Sequence, residues 1–210
     1  MKKILFTLFL ISSSIILNAQ IGVTIGGNLA KYLYTSDRKA IMSFNFGLVY
    51  KAPIAKSVAW QPELLYTSKG AQVYQPTPIG NTDPVMKYKN HLNYIELNSP
   101  FVYTGEVTDE LDFNFGFGPF VSYLTSAKNI AKNWDETTTK KDFAIGNSIT
   151  DDFKALDYGG SLMAGFTMSK QLGFHFKYEL GLANLSPQPN FPALKTRNFS
   201  FNITAFFGGK

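Results

Sequence analysis

The chain has 210 residues, a formal charge of +5 and no cysteine, and 45% of it is hydrophobic, with 19 phenylalanines. Without cysteine it has neither a disulfide nor a thiolate metal site. Its charge is mild and no basic patch is clustered in the sequence, which argues against a nucleic-acid partner.

The basic start Met1-Lys2-Lys3 precedes an apolar run from Ile4 to Leu17, broken only by Thr7 and Ser12 to Ser14. Leu17-Asn18-Ala19 then places a small residue at a cleavage point. This pattern predicts a secretory signal peptide over residues 1–19, with the mature chain starting at Gln20. Removing it takes away two lysines and no acid, so the charge falls from +5 to +3. No cysteine follows the run to carry a lipid. After it there is no stretch of about 18 apolar residues, so a membrane-spanning mature chain must close into a barrel. Residues 20–210 are expected to form one such domain.

Period-2 alternation predicts eight strands. The first runs from about Ile21 to Tyr34, with Ile21, Val23, Ile25 and Leu29 on one face against Gly22, Thr24, Gly26 and Asn28. The second covers about Met42 to Tyr50, and the third about Val58 to Gln72, where Trp60, Leu64 and Tyr66 oppose Gln61, Glu63 and Thr67. The fourth covers about His91 to Tyr103, and the fifth about Leu111 to Leu124, with Phe113, Phe115 and Phe117 against Asn114, Gly116 and Gly118. The sixth covers about Leu156 to Met168, and the seventh about Gln171 to Ala183, where Phe174, Phe176 and Tyr178 oppose His175, Lys177 and Glu179. The last, Asn198 to Phe207, sets Phe199, Phe201, Ile203, Ala205 and Phe207 against Asn198, Ser200, Asn202 and Thr204.

Each strand is long enough to cross a bilayer when tilted, which takes roughly 9–11 residues. Glycines on the polar face let a narrow barrel close. The connections Thr35–Ile41, Ser68–Asn90, Thr125–Ala155 and Asn184–Lys195 all fall at one end, and the shorter ones fall at the other. Long outer loops and short periplasmic turns are the outer-membrane pattern, and both termini then lie at the periplasmic end. Tyr32, Tyr34, Trp60, Tyr66, Tyr103, Tyr123 and Phe207 stand near strand ends, where an aromatic girdle is expected. The expected fold is therefore all-β, an eight-stranded antiparallel transmembrane up-and-down barrel.

Trp60-Gln61-Pro62-Glu63-Leu64-Leu65-Tyr66-Thr67-Ser68-Lys69-Gly70 resembles the Q-P-E-L-x-Y-x-x-K-G arm of the PorT-like outer-membrane β-barrel family of Bacteroidota. Leu92 to Leu97, Phe115 to Val121 and Lys177 to Leu182 carry further matches, and the resemblance covers nearly the whole mature chain. It departs from the family in three places. Asn98 and Ser99 intervene before Pro100, as a bulge or a two-residue shift would; Lys177 stands where the family has Arg; and Gly208-Gly209-Lys210 trails the terminal Phe207. Lys keeps the charge but lacks the planar fork of Arg. The resemblance implies a small outer-membrane barrel, whose namesake serves a secretion system exporting proteins across the outer membrane.

Glu63, Glu96, Lys177 and Glu179, with His175, fall on polar faces and would point into a closed lumen. Buried charges must be paired, so a structural network of Glu63 and Glu96 with Lys177 is expected. Eight strands leave an interior that side chains fill, so no open diffusion pore is expected. His91 and His175 are the only histidines, and neither a G-x-S-x-G elbow nor an H-E-x-x-H pair occurs. Gly116-x-Gly118 lies within a strand and is no phosphate loop. No catalytic residue, metal or cofactor is expected. The outer loops, with Pro76, Pro78 and Pro84 in one and five lysines, five acids and Trp134 in another, are candidate binding segments. The leading expectation is a non-enzymatic outer-membrane barrel. It would act as a structural or binding protein, or support a secretion machine through a protein partner at its loops or turns, with outer-membrane lipid around it. The alternatives are a lipid-modifying enzyme with a Ser and His at the rim, and a soluble periplasmic barrel with its greasy face turned inward.

Overall fold

The computed structural model describes residues 19–33, 39–74, 85–134, 136–190 and 192–208. The expected signal segment (apart from Ala19), Tyr34, and Pro76, Pro78 and Pro84 lie outside them. Eleven strands follow in order: β1 Gln20–Leu33, β2 Ile41–Ala55, β3 Val58–Trp60, β4 Glu63–Tyr74, β5 Val85–Asn98, β6 Phe101–Thr108, β7 Leu111–Asn133, β8 Thr138–Asp142, β9 Leu156–Met168, β10 Leu172–Gly181 and β11 Lys195–Phe207.

All pairings between these strands are antiparallel and they close on themselves. β1 pairs β2 on one side and β11 on the other, and the wall continues through β10, β9, β7, β5 and β4 back to β2. β3 and β6 complete the wall beside β4 and β5. The result is an eight-stranded ring, because β3 and β4 are two parts of one wall strand and β5 and β6 are two parts of the next. Closure removes every exposed strand edge in the wall.

Proline explains the two interruptions. Pro62 and Pro100 lack an N–H and cannot donate to a ladder. The wall stays stitched there by neighbouring donors: Gln61 N–H reaches the Pro100 carbonyl, Ser99 N–H the Pro119 carbonyl and Tyr50 N–H the Pro62 carbonyl, each at 2.9 Å. Asn98 pairs Phe120 and Phe101 pairs Phe117 in one continuous register. Pro100 therefore marks no bulge against β7, only a gap in the ladder.

The faces are inverted relative to a soluble protein. Phe176, Phe117, Ile25 and Leu162 are each more than half exposed on the outside. Asn28, Asn45, Asn114, Asn198 and Ser200 are buried inside. Such a greasy exterior around a polar interior is that of a membrane barrel. It removes the soluble alternative, whose apolar face would turn inward. Glycine makes the close approaches in the wall possible. A Cβ on Gly47 would collide with the Leu64 carbonyl of the adjacent strand, and one on Gly26 with the Asn202 side chain.

Trp60, Tyr103, Tyr123 and Phe207 lie exposed on the outer surface. Tyr32 does not: it is 1% exposed and points inward. It shares the inward parity of Asn28 and Ala30, so the strand's alternation overrides its position near the rim.

At the short-turn end, Gln20 Nε2 donates to the carbonyls of Lys170 and Gly208 at 3.2 and 2.9 Å, holding the first and last strands beside a turn. At the other end β7 runs nine residues past the expected Leu124, and β8 pairs with this extension. The expected loop over Thr125–Ala155 is thus partly a strand pair. The remainder of it folds back into the mouth. Phe153, Leu185 and Leu194 join Tyr32, Leu92, Tyr94 and Leu124 in one apolar cluster, with Phe143 and Ile145 packed against it. Phe153 meets the rings of Tyr32 and Phe143 edge-on at 6.3 and 5.1 Å. Backbone bonds from Phe143 to Ala127 and from Lys154 to Leu185, both 2.9 Å, tie this plug to the wall and to the neighbouring loop.

Candidate functional site

Below the apolar plug lies a buried charge network. β4 supplies Glu63 and Lys69, β5 supplies Glu96, and β10 supplies Lys177 and Glu179. All five are buried. They alternate in sign across the lumen. Lys69 Nζ lies 2.6 Å from Glu96 Oε2 and 2.9 Å from Glu179 Oε2. Lys177 Nζ lies 2.7 Å from Glu63 Oε2 and 3.7 Å from Glu179 Oε1. Glu179 thus takes both lysines and links the two pairs.

Neutral donors add to the network. Ser122 Oγ donates to Glu96 at 2.6 Å, Asn198 Nδ2 to Glu179 at 3.1 Å and Gln61 Nε2 to Glu63 at 3.2 Å. The Lys69 ammonium also sits 4.6 Å above the Phe120 ring, a cation–π contact in a desolvated setting. Nearby, Thr196 Oγ1 donates to the buried Asp157 at 2.6 Å. Charges removed from water need such pairing.

Glu63, Glu96, Lys177 and Glu179 all project into the lumen, and Glu63 pairs with Lys177 as expected. Glu96 pairs with Lys69, not with Lys177. Lys69 was missed. It lies six residues beyond Glu63 on one strand, so period-2 parity through Leu65 and Thr67 puts it inside. His175 also points inward, two residues from Lys177 on β10. His91 stands on the outer face of β5 opposite Lys128, half-buried. The two histidines therefore lie on opposite faces of the wall and share no site.

The outer membrane protein beta-barrel domain family matches residues 12–186. The chain belongs to that family. Among solved structures it is similar to Neisserial surface protein A, at 10% identity and a TM-score of 0.48 over 90% of this chain and 99% of that one. It is similar to the attachment invasion locus protein Ail of Yersinia pestis at 9% identity and a TM-score of 0.43, over 90% of this chain and 99% of Ail. OprG from Pseudomonas aeruginosa gives 11% identity and a TM-score of 0.39 over 91% and 98%. No curated protein matches the chain. This outer-membrane barrel thus places its ion network at mid-wall and its apolar plug at the long-loop end.

Proposed function

We propose that this outer-membrane protein is a closed, non-enzymatic barrel that works through its outer end rather than through its lumen. It is exported behind the signal segment at residues 1–19, and its long-loop end faces out of the cell. The observation that carries the reading is the double closure of the interior, by the Lys69–Glu179–Lys177 network and by the plug around Phe153. A path for solutes would have to break both. The network is a structural clamp joining β4 to β10 across the lumen.

The finer form of this reading makes the protein a PorT-like barrel of Bacteroidota that supports a secretion machine. It rests on the Trp60 to Gly70 arm, where Glu63 and Lys69 turn out to be the two clamp residues of β4.

Two experiments test the proposal. Purified protein is run unheated and boiled on a semi-native gel and then incorporated into planar bilayers. A heat-shifted band with no steady conductance is the expected result, and stable conductance by the folded form would end the closed-barrel reading. Deletion of the gene then addresses the finer form. A loss of exported proteins together with a co-purifying partner supports the secretion role, and an unchanged exported set removes it.

A further inference from the structure

One stretch of the outer wall is thinned by glycine. Gly160 of β9 stands opposite Pro119 of β7 on one side and Leu180 of β10 on the other. The space outside it is open, since a Cβ there would meet nothing within 4 Å. Around it Phe117, Leu162, Tyr178, Leu180 and Leu182 line a groove of about 550 Å³, a usual size for a small-molecule site. The groove opens to the lipid side, where Phe117, Leu162 and Leu182 are each more than half exposed. Cations crowd the next strands over. Arg197 of β11 lies directly opposite Leu180 on one side and Lys31 of β1 on the other, and Lys195 shares its face two residues away. Arg197 reaches toward the groove. Its Nη1 donates to the Gly181 carbonyl at 2.9 Å and to the Thr196 carbonyl at 2.6 Å. Gly181 stands between Leu180 and Leu182, so the guanidinium is fixed at the long-loop end of the groove. The chain offers these cations no acid nearby. None occurs from Gln20 to Ser36 or from Leu180 to Lys210. Asp157 of β9 is buried in the lumen on Thr196. Asp151 and Asp152 accept from Ser148 and Ala144 in their own loop. Among the described residues none of the three cations forms an ion pair.

We infer that this part of the wall docks one anionic phospholipid, with an acyl chain in the Gly160 groove and its phosphate on Arg197, Lys31 and Lys195. Charge and position identify the occupant. The groove is apolar and lies within the lipid-facing belt, which suits a hydrocarbon chain. Lys31 and Arg197 stand two residues beyond the exposed, apolar Leu29 and Phe199, toward the long-loop end, where the belt gives way to headgroups. Cations at that boundary attract anionic lipid, and a guanidinium can grip a phosphate through two parallel bonds. Arg197 is two strands from Gly160, so their backbones lie roughly 10 Å apart. One lipid spans that distance from its phosphate to the first methylenes of its chain. Lys31 and Arg197 also repel each other across the ladder, and a phosphate between them offsets the repulsion. A lone boundary lysine is an ordinary membrane anchor. A guanidinium held in place beside an unfilled groove is more than that. The inference uses only the lipid-facing wall and holds whichever end faces out of the cell.

The test uses the full barrel in uncharged detergent, titrated with dimyristoyl phosphatidylglycerol and with the phosphatidylcholine of the same chains, and read by native mass spectrometry. The anionic lipid should bind more tightly, and binding should weaken as salt screens it. The triple variant K31Q/K195Q/R197Q should lose affinity on the order of 100-fold, at roughly fivefold per cation. G160L fills the groove from an open position and leaves the cations in place, and it should lose most of the binding. K31R/K195R should keep it. Heat-shifted mobility checks that each variant is folded. Equal binding of the two lipids, or unchanged binding by the glutamine variant or by G160L, would overturn the inference. Displacement by glycerol phosphate at equal concentration would show an anion site that does not select lipid, and would overturn it too. Asp37, in the connection after β1, lies outside the described residues. D37N should bind as the native chain does; a clear gain in affinity would mean that the chain supplies its own anion, against the inference. A dimer that G160L dissolves, with no lipid retained, would give the groove to a second copy and end the lipid reading.

Discussion

Two groups of lysines in this barrel have opposite surroundings. Lys69 and Lys177 stand inside, each within reach of two carboxylates and almost wholly shielded from solvent. Lys89, Lys128, Lys132 and Lys140 stand outside on one sheet face, where a single described carboxylate serves them all. A buried ammonium without a partner would carry a desolvation cost of several kcal/mol, so the interior has to be complementary within the chain. An exposed lysine carries no such cost, and the outer face can leave its complement to another molecule. The inner set is thus part of the fold, and the fold does not depend on how the outer set is paired.

The sharpest way to break this contrast is to remove an inner lysine. K69M leaves Glu96 without its ion-pair partner and Glu179 with only Lys177 at 3.7 Å. Breaking a buried pair on one side costs roughly 3–5 kcal/mol, and urea unfolding of the heat-modifiable form should show a loss of that size. Replacing both members of the other pair, as in K177M/E63L, should cost much less than either single change, because neither charge is left behind. A double change as costly as the sum of the singles would mean that the two groups do not act as a pair.

The plug gives the next largest effect. F153A removes a ring that packs edge-on against both Tyr32 and Phe143. A buried Phe truncated to Ala typically costs about 3–5 kcal/mol, less where the surroundings collapse. This segment is a loop, so a loss near 3 kcal/mol is expected in the same urea assay. The variant should still show no conductance, because the ion network beneath it is intact. Conductance through F153A would locate the seal in the plug alone.

Much of this was readable from the alternation of side chains. Period two fixes which face each residue takes, and it puts Lys69 and Tyr32 inside as firmly as Glu63 and Asn28. The girdle position expected for Tyr32 came from weighing its place near the rim over its parity. Three features were not readable from that alternation. The breaks at Pro62 and Pro100 leave the register untouched, so the alternation runs straight through them and only the prolines mark the gaps. The choice of Lys69 for Glu96 and of Lys177 for Glu63 depends on which strands face each other across the lumen, a property of closure rather than of any one strand. The plug residues Phe143, Ile145 and Phe153 sit in an aperiodic segment, and only the folded loop brings them into the mouth.

A smaller effect is expected where the wall is interrupted. Trp60 Nε1 donates to Ser99 Oγ at 2.8 Å, bridging β3 to the gap before Pro100. W60F keeps an aromatic ring on the lipid side and removes the donor along with part of the indole. The loss should be about 1 kcal/mol, the usual net worth of one hydrogen bond. S99A should cost about the same, and the two together little more than either alone, as read by a double-mutant cycle.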